Sequence, residues 1–245
     1  SAQDISTNLT NDLRVKEFTM EPSRGTPSLI KMNETGTTLS LTETSVFLQS
    51  MLGFGPETSF VVEATTNTNG IQVDKFQQYT KGIKVEHGVF KAISRKGIVL
   101  GFTAEYYNLP ASISAAPALN EAAALQKALD HVGAKTYAWD YVRSLGDTPE
   151  HIAAYNELFP KGQLVFVDNY LTDVVDLRLA YKFNVYAAEP LSRADVYVDA
   201  SSGAVLLLDA IIKHAGAAHS KTEIAKTVRP KKTTAPLPSA TASGN

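Results

Sequence analysis

From residue 83 onward the chain alternates. Ile83, Val85, His87 and Val89 fall on one side and Lys84, Glu86 and Gly88 on the other, so a strand here has one apolar and one wet face. Val89 and Phe90 then stand side by side and break the alternation, which marks Gly88 as the seat of a bulge. The same β-rich grammar recurs over residues 59–66, 70–80, 83–94 and 98–107. Asn67-Thr68-Asn69-Gly70, Lys81-Gly82 and Arg95-Lys96-Gly97 separate these segments, and each offers a glycine for a positive φ angle. The pattern predicts an antiparallel meander. Within it Phe76 and Gln78 share one face and Gln77 and Tyr79 the other, and the two glutamines read as a solvated or ligand-facing surface.

Helical spacing flanks the meander. Phe47, Leu48, Met51 and Leu52 lie on one face of a short helix capped by Thr44 or Ser45 and stopped at Gly53-Phe54-Gly55-Pro56. Residues 1–44 are rich in Thr, Ser and Asn, hold no single periodicity, and read as a lead-in with one strand. Past a small-residue linker with two prolines, 108–117, a second helix is predicted over 120–132. Asn120 caps it, Ala122, Leu125, Leu129 and Val132 recur at helical spacing, and Gly133 stops it. A further helical patch after Thr148-Pro149-Glu150 carries Ile152, Tyr155, Leu158 and Phe159 and ends at Pro160.

Strand patterns return over 163–168, 177–187, 193–200 and 204–213, with Asp199 opening a hairpin turn that closes at Gly203. The predicted fold class is therefore α+β, in two units that each pack an antiparallel sheet on a helix. The expected organisation is a lead-in over 1–44, a first domain over 45–110, a second over 111–215, and a flexible tail or linker over 216–245.

Composition narrows this picture. The 245 residues carry a formal charge of -2, so no global field argues for nucleic acid or an anionic membrane. After Gly216, five basic residues stand against Glu223, a net of +4, which leaves -6 for residues 1–215. There is no cysteine, which removes disulfides, thiolate metal sites and cysteine nucleophiles together. No run approaches the roughly 18 apolar residues that span a bilayer. The chain starts at Ser1, from which removal of a presequence or tag is expected.

Candidate chemistry is sparse. His87, His131, His151, His214 and His219 include no pair with the spacing of a zinc-peptidase helix, and no Gly-x-Ser-x-Gly elbow or phosphate-cradling loop occurs. No catalytic residue, metal ligand or cofactor is assigned. Asp168, Asp173, Asp176, Asp195 and Asp199 read as surface and turn carboxylates, and Trp139 as packing between helix and sheet. Arg229-Pro230-Lys231-Lys232 reads as a solvated linker or processing site.

Two stretches carry a family resemblance. Phe76-Gln77-Gln78-Tyr79-Thr80-Lys81-Gly82-Ile83-Lys84-Val85, followed by His87-Gly88-Val89-Phe90, resembles the signature of the fungalysin/thermolysin propeptide (FTP) domain. Residues 180–186 and 194–208 look like the PepSY domain, a cystatin-like fold, that closes the same propeptides. Together they cover residues 45–214.

The resemblance implies the proregion of a secreted thermolysin-like, M4-type zinc metalloprotease. Its partner would be the cognate catalytic domain, its roles inhibition and intramolecular chaperoning, and its location secreted or periplasmic. It would have no catalysis, nucleic acid or membrane of its own. On that reading Gln77, Gln78 and Tyr79 form a partner-facing ribbon, while Ile211, Ile212, Lys213 and His214 lead into the protease cleft. Ile211 and Ile212 read equally well as core of the second sheet, and His214 and His219 either approach the partner's zinc or are surface histidines. A fungalysin-type proregion and a free-standing PepSY-type binding module stay open as alternatives, with a carboxylate enzyme behind them.

Overall fold

Residues 1–212 are described by a computed structural model, and they fall into two compact units that divide between Ile113 and Ser114. Each is a layer of antiparallel strands with helices laid on it, the α+β class that the alternating and helical periods predict.

The first unit begins with structure that periodicity does not reveal. Helix α1 (Ala2–Asn11) starts on a capping box in which Ser1 and Asp4 satisfy each other's backbone N–H groups, and it buries only Ile5 and Leu9, one turn apart. Strands β1 (Val15–Glu21) and β2 (Thr26–Met32) form a hairpin closed at Gly25, whose φ is +67° and whose N–H reaches Glu21 O at 2.9 Å. The lead-in of one strand is thus a helix and two strands. Two register shifts along β1 explain why it stayed hidden: Val15, Phe18 and Met20 are all buried, yet the first two are three residues apart and violate period 2.

A turn of 3-10 helix, Leu41–Glu43, leads into helix α2 (Thr44–Leu52), which Gly53 ends in the left-handed conformation. Thr44 is the first helical residue and not the cap; its hydroxyl donates to Leu41 O at 2.7 Å. Strands β3 (Thr58–Thr68), β4 (Ile71–Thr80), β5 (Ile83–Arg95) and β6 (Ile98–Glu105) follow as the predicted meander. Within this unit the strand order is β1-β2-β6-β5-β4-β3, antiparallel throughout.

The helices lie on a core of large side chains. Phe47 stacks on Phe102 at 5.6 Å, and Phe54, Phe60, Phe90 and Tyr106 meet one another at 4.8–6.1 Å. Full burial of a ring such as Phe47, Phe90 or Phe102 is worth about 1.5–3 kcal/mol in area alone, while Phe54 and Phe60 are partly buried against the core.

In the second unit, Asn120 caps helix α3 (Glu121–Val132) by accepting from the Ala123 N–H at 2.8 Å, and Gly133 terminates it at φ +61°. Its buried stripe is Ala124, Leu125 and Ala128, one position off the predicted face, because two alanines let the helix approach the sheet closely. A short strand β7 (Thr136–Tyr137) and helix α4 (Ala138–Ser144) follow, then helix α5 (Pro149–Leu158), where Thr148 caps and proline takes the first position. Trp139 is buried, stacked on Tyr137 at 4.7 Å and edge-on to Phe159 at 5.8 Å, which fits packing rather than ligand stacking.

Strands β8 (Gln163–Asp168), β9 (Leu177–Glu189), β10 (Leu191–Asp199) and β11 (Val205–Ile212) pair in chain order, with β7 on the far end of β9. Three cross-strand pairs, Tyr181 with Val198, Phe183 with Val196 and Val185 with Ala194, supply the surface on which α3 rests. Gly162 lies against them: a Cβ there would sit 2.9 Å from the rings of both Tyr181 and Phe183. The Asp199 carboxylate accepts from the Ser201 and Ser202 N–H groups at 2.7 and 3.0 Å and shapes the final hairpin turn.

One partly buried pair fixes how α1 hands over to β1. Asp12 follows α1, and its carboxylate accepts from the Arg14 guanidinium at 2.8 and 3.0 Å and from the Arg14 N–H at 2.9 Å, while the guanidinium also lies 5.1 Å over the Phe47 ring. The Arg14 hydrogen bonds hold the Asp12 carboxyl below the usual range against an opposing desolvation. A depressed folded-state pKa means stabilisation present above the unfolded value of about 3.9 and lost as pH falls through the folded one. The pair is partly buried, with side chains 10% and 27% exposed, so Asp12→Asn is expected to cost about 1–2 kcal/mol at neutral pH. The cost should shrink as denaturation is repeated at falling pH below about 4; a cost independent of pH contradicts the assignment.

Candidate functional site

The ribbon of β4 and β5 is where the sequence places a partner-facing surface, and its geometry is irregular. Gln77 pairs with Val89 and Tyr79 with Lys84, so a step of two residues on β4 faces a step of five on β5. Residues 85–88 are looped out opposite Gln78, with His87 at φ +66°. The bulge expected at Gly88 is present and longer than a single extra residue.

A bulge of this size takes carbonyl groups off the ladder, and buried carbonyls need donors. Gln77 supplies them. Its side-chain amide donates to Val85 O at 2.6 Å, to Gly88 O at 3.1 Å and to Gln78 O at 3.2 Å. Gln78 does a second job, donating to Tyr107 O at 2.7 Å and accepting from the Tyr107 N–H at 3.1 Å, as a neighbouring strand would. Gly88 makes room for it: a Cβ there would lie 2.7 Å from Gln78 Oε1 and 2.8 Å from Gln78 Cβ.

Gln77 and Gln78 are therefore not a partner-facing surface. They are 3% and 0% exposed and spend their polar atoms on this chain's own backbone. A signal for half of this was present: Gln78 shares its face with Phe76, a core residue. Tyr79 is half-buried between Ser59 and Lys84.

The remaining signature residues also act inward. Lys81, at φ +52° in the turn before Gly82, sends Nζ to Ala111 O at 2.9 Å and Ile113 O at 2.7 Å and so ties down the segment after β6. Tyr106 is fully buried among Phe54, Phe60 and Phe90, with no hydrogen-bond partner for its hydroxyl among the described residues, and burial pushes its ionisation far above the usual tyrosine range.

Strand β3 is what this unit turns outward. It pairs with β4 alone among the named strands, and Val61 and Val62 are exposed on it.

The second predicted site lies at the end of β11. Ile211 is 54% exposed and Ile212 half-buried opposite Arg193. Ile211 therefore does not complete the sheet's core, which Leu206 and Leu207 enter instead. Lys213 and His214 lie outside the described residues, as do His219 and residues 216–245, including the Arg229–Lys232 group.

Of the carboxylates singled out in the sequence, Asp168, Asp176 and Asp199 hold turns and strand ends, and Asp195 sits mid-strand on β10. Asp168 accepts from the Asp176 N–H at 2.8 Å, Asp176 accepts from Arg178 Nε at 2.9 Å, and Asp195 accepts from the Asn184 amide at 3.2 Å. Among the described residues no three of His, Asp and Glu are grouped to hold a metal ion. No helix there is long and apolar enough to cross a membrane.

Removing the Gln78 amide strands two backbone groups in a buried place. Gln78→Ala is expected to destabilise the chain by about 2–4 kcal/mol, from about 1–3 kcal/mol per stranded group less what water recovers. Tyr79→Ala, one residue on and without such bonds, should cost clearly less. Equal losses in urea denaturation contradict the role given to Gln78.

Residues 59–106, which span β3 to β6 and the Gln77–Gln78 pair, match the family described as the Fungalysin/Thermolysin Propeptide Motif. No curated protein matches the chain. Among solved structures the chain is similar to the Bacillus megaterium YpeB C-terminal domain, at 14% identity and a TM-score of 0.34, over 86% of this chain and 96% of that one.

Proposed function

We propose that this chain is the proregion of a secreted thermolysin-like metalloprotease of the M4 type, which inhibits the cognate catalytic domain and assists its folding. The observation that carries the reading is the propeptide motif at residues 59–106, seated on a ribbon whose signature side chains are spent on internal bonds. Such a ribbon is a rigid scaffold. Binding then falls to surfaces it holds out, and preorganised surfaces lose little entropy on docking.

The partner on this reading is the catalytic domain of the cognate protease, and the place of action is extracellular. Residues 111–215 serve as its PepSY domain. The end of β11 carries the chain to the active-site cleft, with Ile211 and Ile212 entering its hydrophobic pockets and Lys213 and His214 following. Ile211 is already exposed at the strand's end and available for this. The motif's description covers fungalysin as well as thermolysin parents, so a fungalysin-type protease is the second reading. A reading frame that continues past Asn245 into a His-Glu-x-x-His domain favours a proregion; a stop codon there favours a free-standing module.

As a chaperone, the chain acts by binding the enzyme's folding transition state more tightly than its unfolded chain. As an inhibitor, it loses its apolar anchor in Ile211→Asp. A buried aliphatic side chain contributes about 1.5–3 kcal/mol, so the variant's inhibition constant is expected to rise about 10- to 100-fold. Titration of the chain and of Ile211→Asp against the catalytic domain, with refolding yields measured in parallel, tests both roles. No inhibition and no gain in refolding at micromolar concentration would defeat them.

A further inference from the structure

The second unit carries a groove that no role described so far uses. It encloses about 620 Å³ between Ala138, Tyr141 and Val142 of α4, Leu158 of α5 and the tip of the β9–β10 hairpin. A volume of that size suits one small organic molecule, and apolar walls suit an apolar body. The hairpin supplies its wall through register. Ala188 pairs with Leu191 and Tyr186 with Arg193; cross-strand partners share a face, so these four side chains stand as two adjacent rows. Ala188, Leu191 and Tyr186 line the groove. Arg193 is the fourth member of that face.

Arg193 is held in place and has no anion of its own. Its guanidinium lies 5.0 Å over the Tyr186 ring, and its Nε donates to Asn184 Oδ1 at 2.8 Å. Ring and amide together fix the fork, while its Nη groups meet no acceptor among the described residues. Arg14, Arg143 and Arg178 each meet a carboxylate, at 2.8, 3.8 and 2.9 Å. Arg193 meets none there. The acids nearest in register are otherwise placed. Asp195, one row further from the tip with Asp209 opposite it on β11, accepts from the Asn184 amide at 3.2 Å. Glu189 also lines the groove, and it pairs with Lys135 at 3.5 Å.

We infer that this groove binds a small organic carboxylate, its apolar body between α4 and the hairpin and its oxygens accepting from the Nη groups of Arg193. A planar fork fixed beside an apolar wall fits that chemistry: parallel N–H···O bonds set the orientation, and a side chain already immobilised loses little entropy on binding. The carboxylate has two sources, a free acid or the C-terminus of a peptide with an apolar last residue. The site uses no residue assigned to the protease partner, so it and the proregion reading can fail separately.

Titration of the isotope-labelled full chain with 3-phenylpropionate at neutral pH, followed by amide chemical shifts, tests it. The acid is ionised there, and a ligand of about eleven non-hydrogen atoms is expected to bind with a Kd of about 1–10 mM. Saturable shifts should appear at 136–142 and 186–193 and not in β1 or β2. The neutral isostere 3-phenylpropanamide should bind at least about fivefold more weakly, as should the acid to Arg193→Gln, because both remove a charge-assisted pair at a half-exposed site. The comparison of acid with amide on the unaltered chain decides if that variant fails to fold. Acetyl-Ala-Phe with a free C-terminus names the source: tighter binding than the acid marks a peptide end, weaker binding a free acid. No saturable shift by ~30 mM acid, equal binding of acid and amide, or shifts confined to residues outside the groove overturns the inference.

Discussion

Two adjacent side-chain amides hold the first unit in its shape. The bulge at residues 85–88 takes carbonyls off the β4–β5 ladder, and the Gln77 amide replaces the missing donors. Gln78 pairs with both backbone groups of Tyr107 and fastens the chain where it leaves β6. Neither amide can be removed without leaving buried backbone groups unpaired, at about 1–3 kcal/mol each. Phe76 beside them anchors the same stretch in the aromatic core, so polar and apolar restraints act on one short segment. That concentration gives the short sequence signature its physical content.

Function, on the proposed reading, is displaced from the signature to the edges. The side chains that look reactive in the sequence are consumed: the glutamines by backbone, the carboxylates by turns, Lys81 by the carbonyls of Ala111 and Ile113. What the chain turns outward is shape and apolar surface: the exposed valines of β3, Ile211 at the end of β11, and the groove beside α4 and α5. A protein built this way recognises by complementarity, with rigidity supplied from inside.

The strands and helices with intact periods were legible in the sequence. Residues 58–105 and 163–212 form strands because alternation, β-branched residues and glycine turns agree there, and α3 because its cap, stripe and stop agree. The lead-in escaped because β1 shifts register twice and α1 buries only two side chains; local pattern cannot report burial that depends on long-range packing. Helix α4 was hidden in seven residues, too short for a period to register. The glutamines misled for a chemical reason. Polarity predicts solvent only where the backbone is satisfied, and the bulge that Gly88 marks leaves carbonyls unsatisfied beside the facing strand, where a buried amide is needed.

Native-state hydrogen exchange of the Tyr107 amide tests the central claim most directly, because that N–H has Gln78 Oε1 as its acceptor. If the paired amides hold the unit together, Tyr107 exchanges only when the unit opens globally, with protection matching the slowest amides of β5 and β6. Exchange on the scale of exposed turn amides, with β5 and β6 still protected, would show that the unit stands without them.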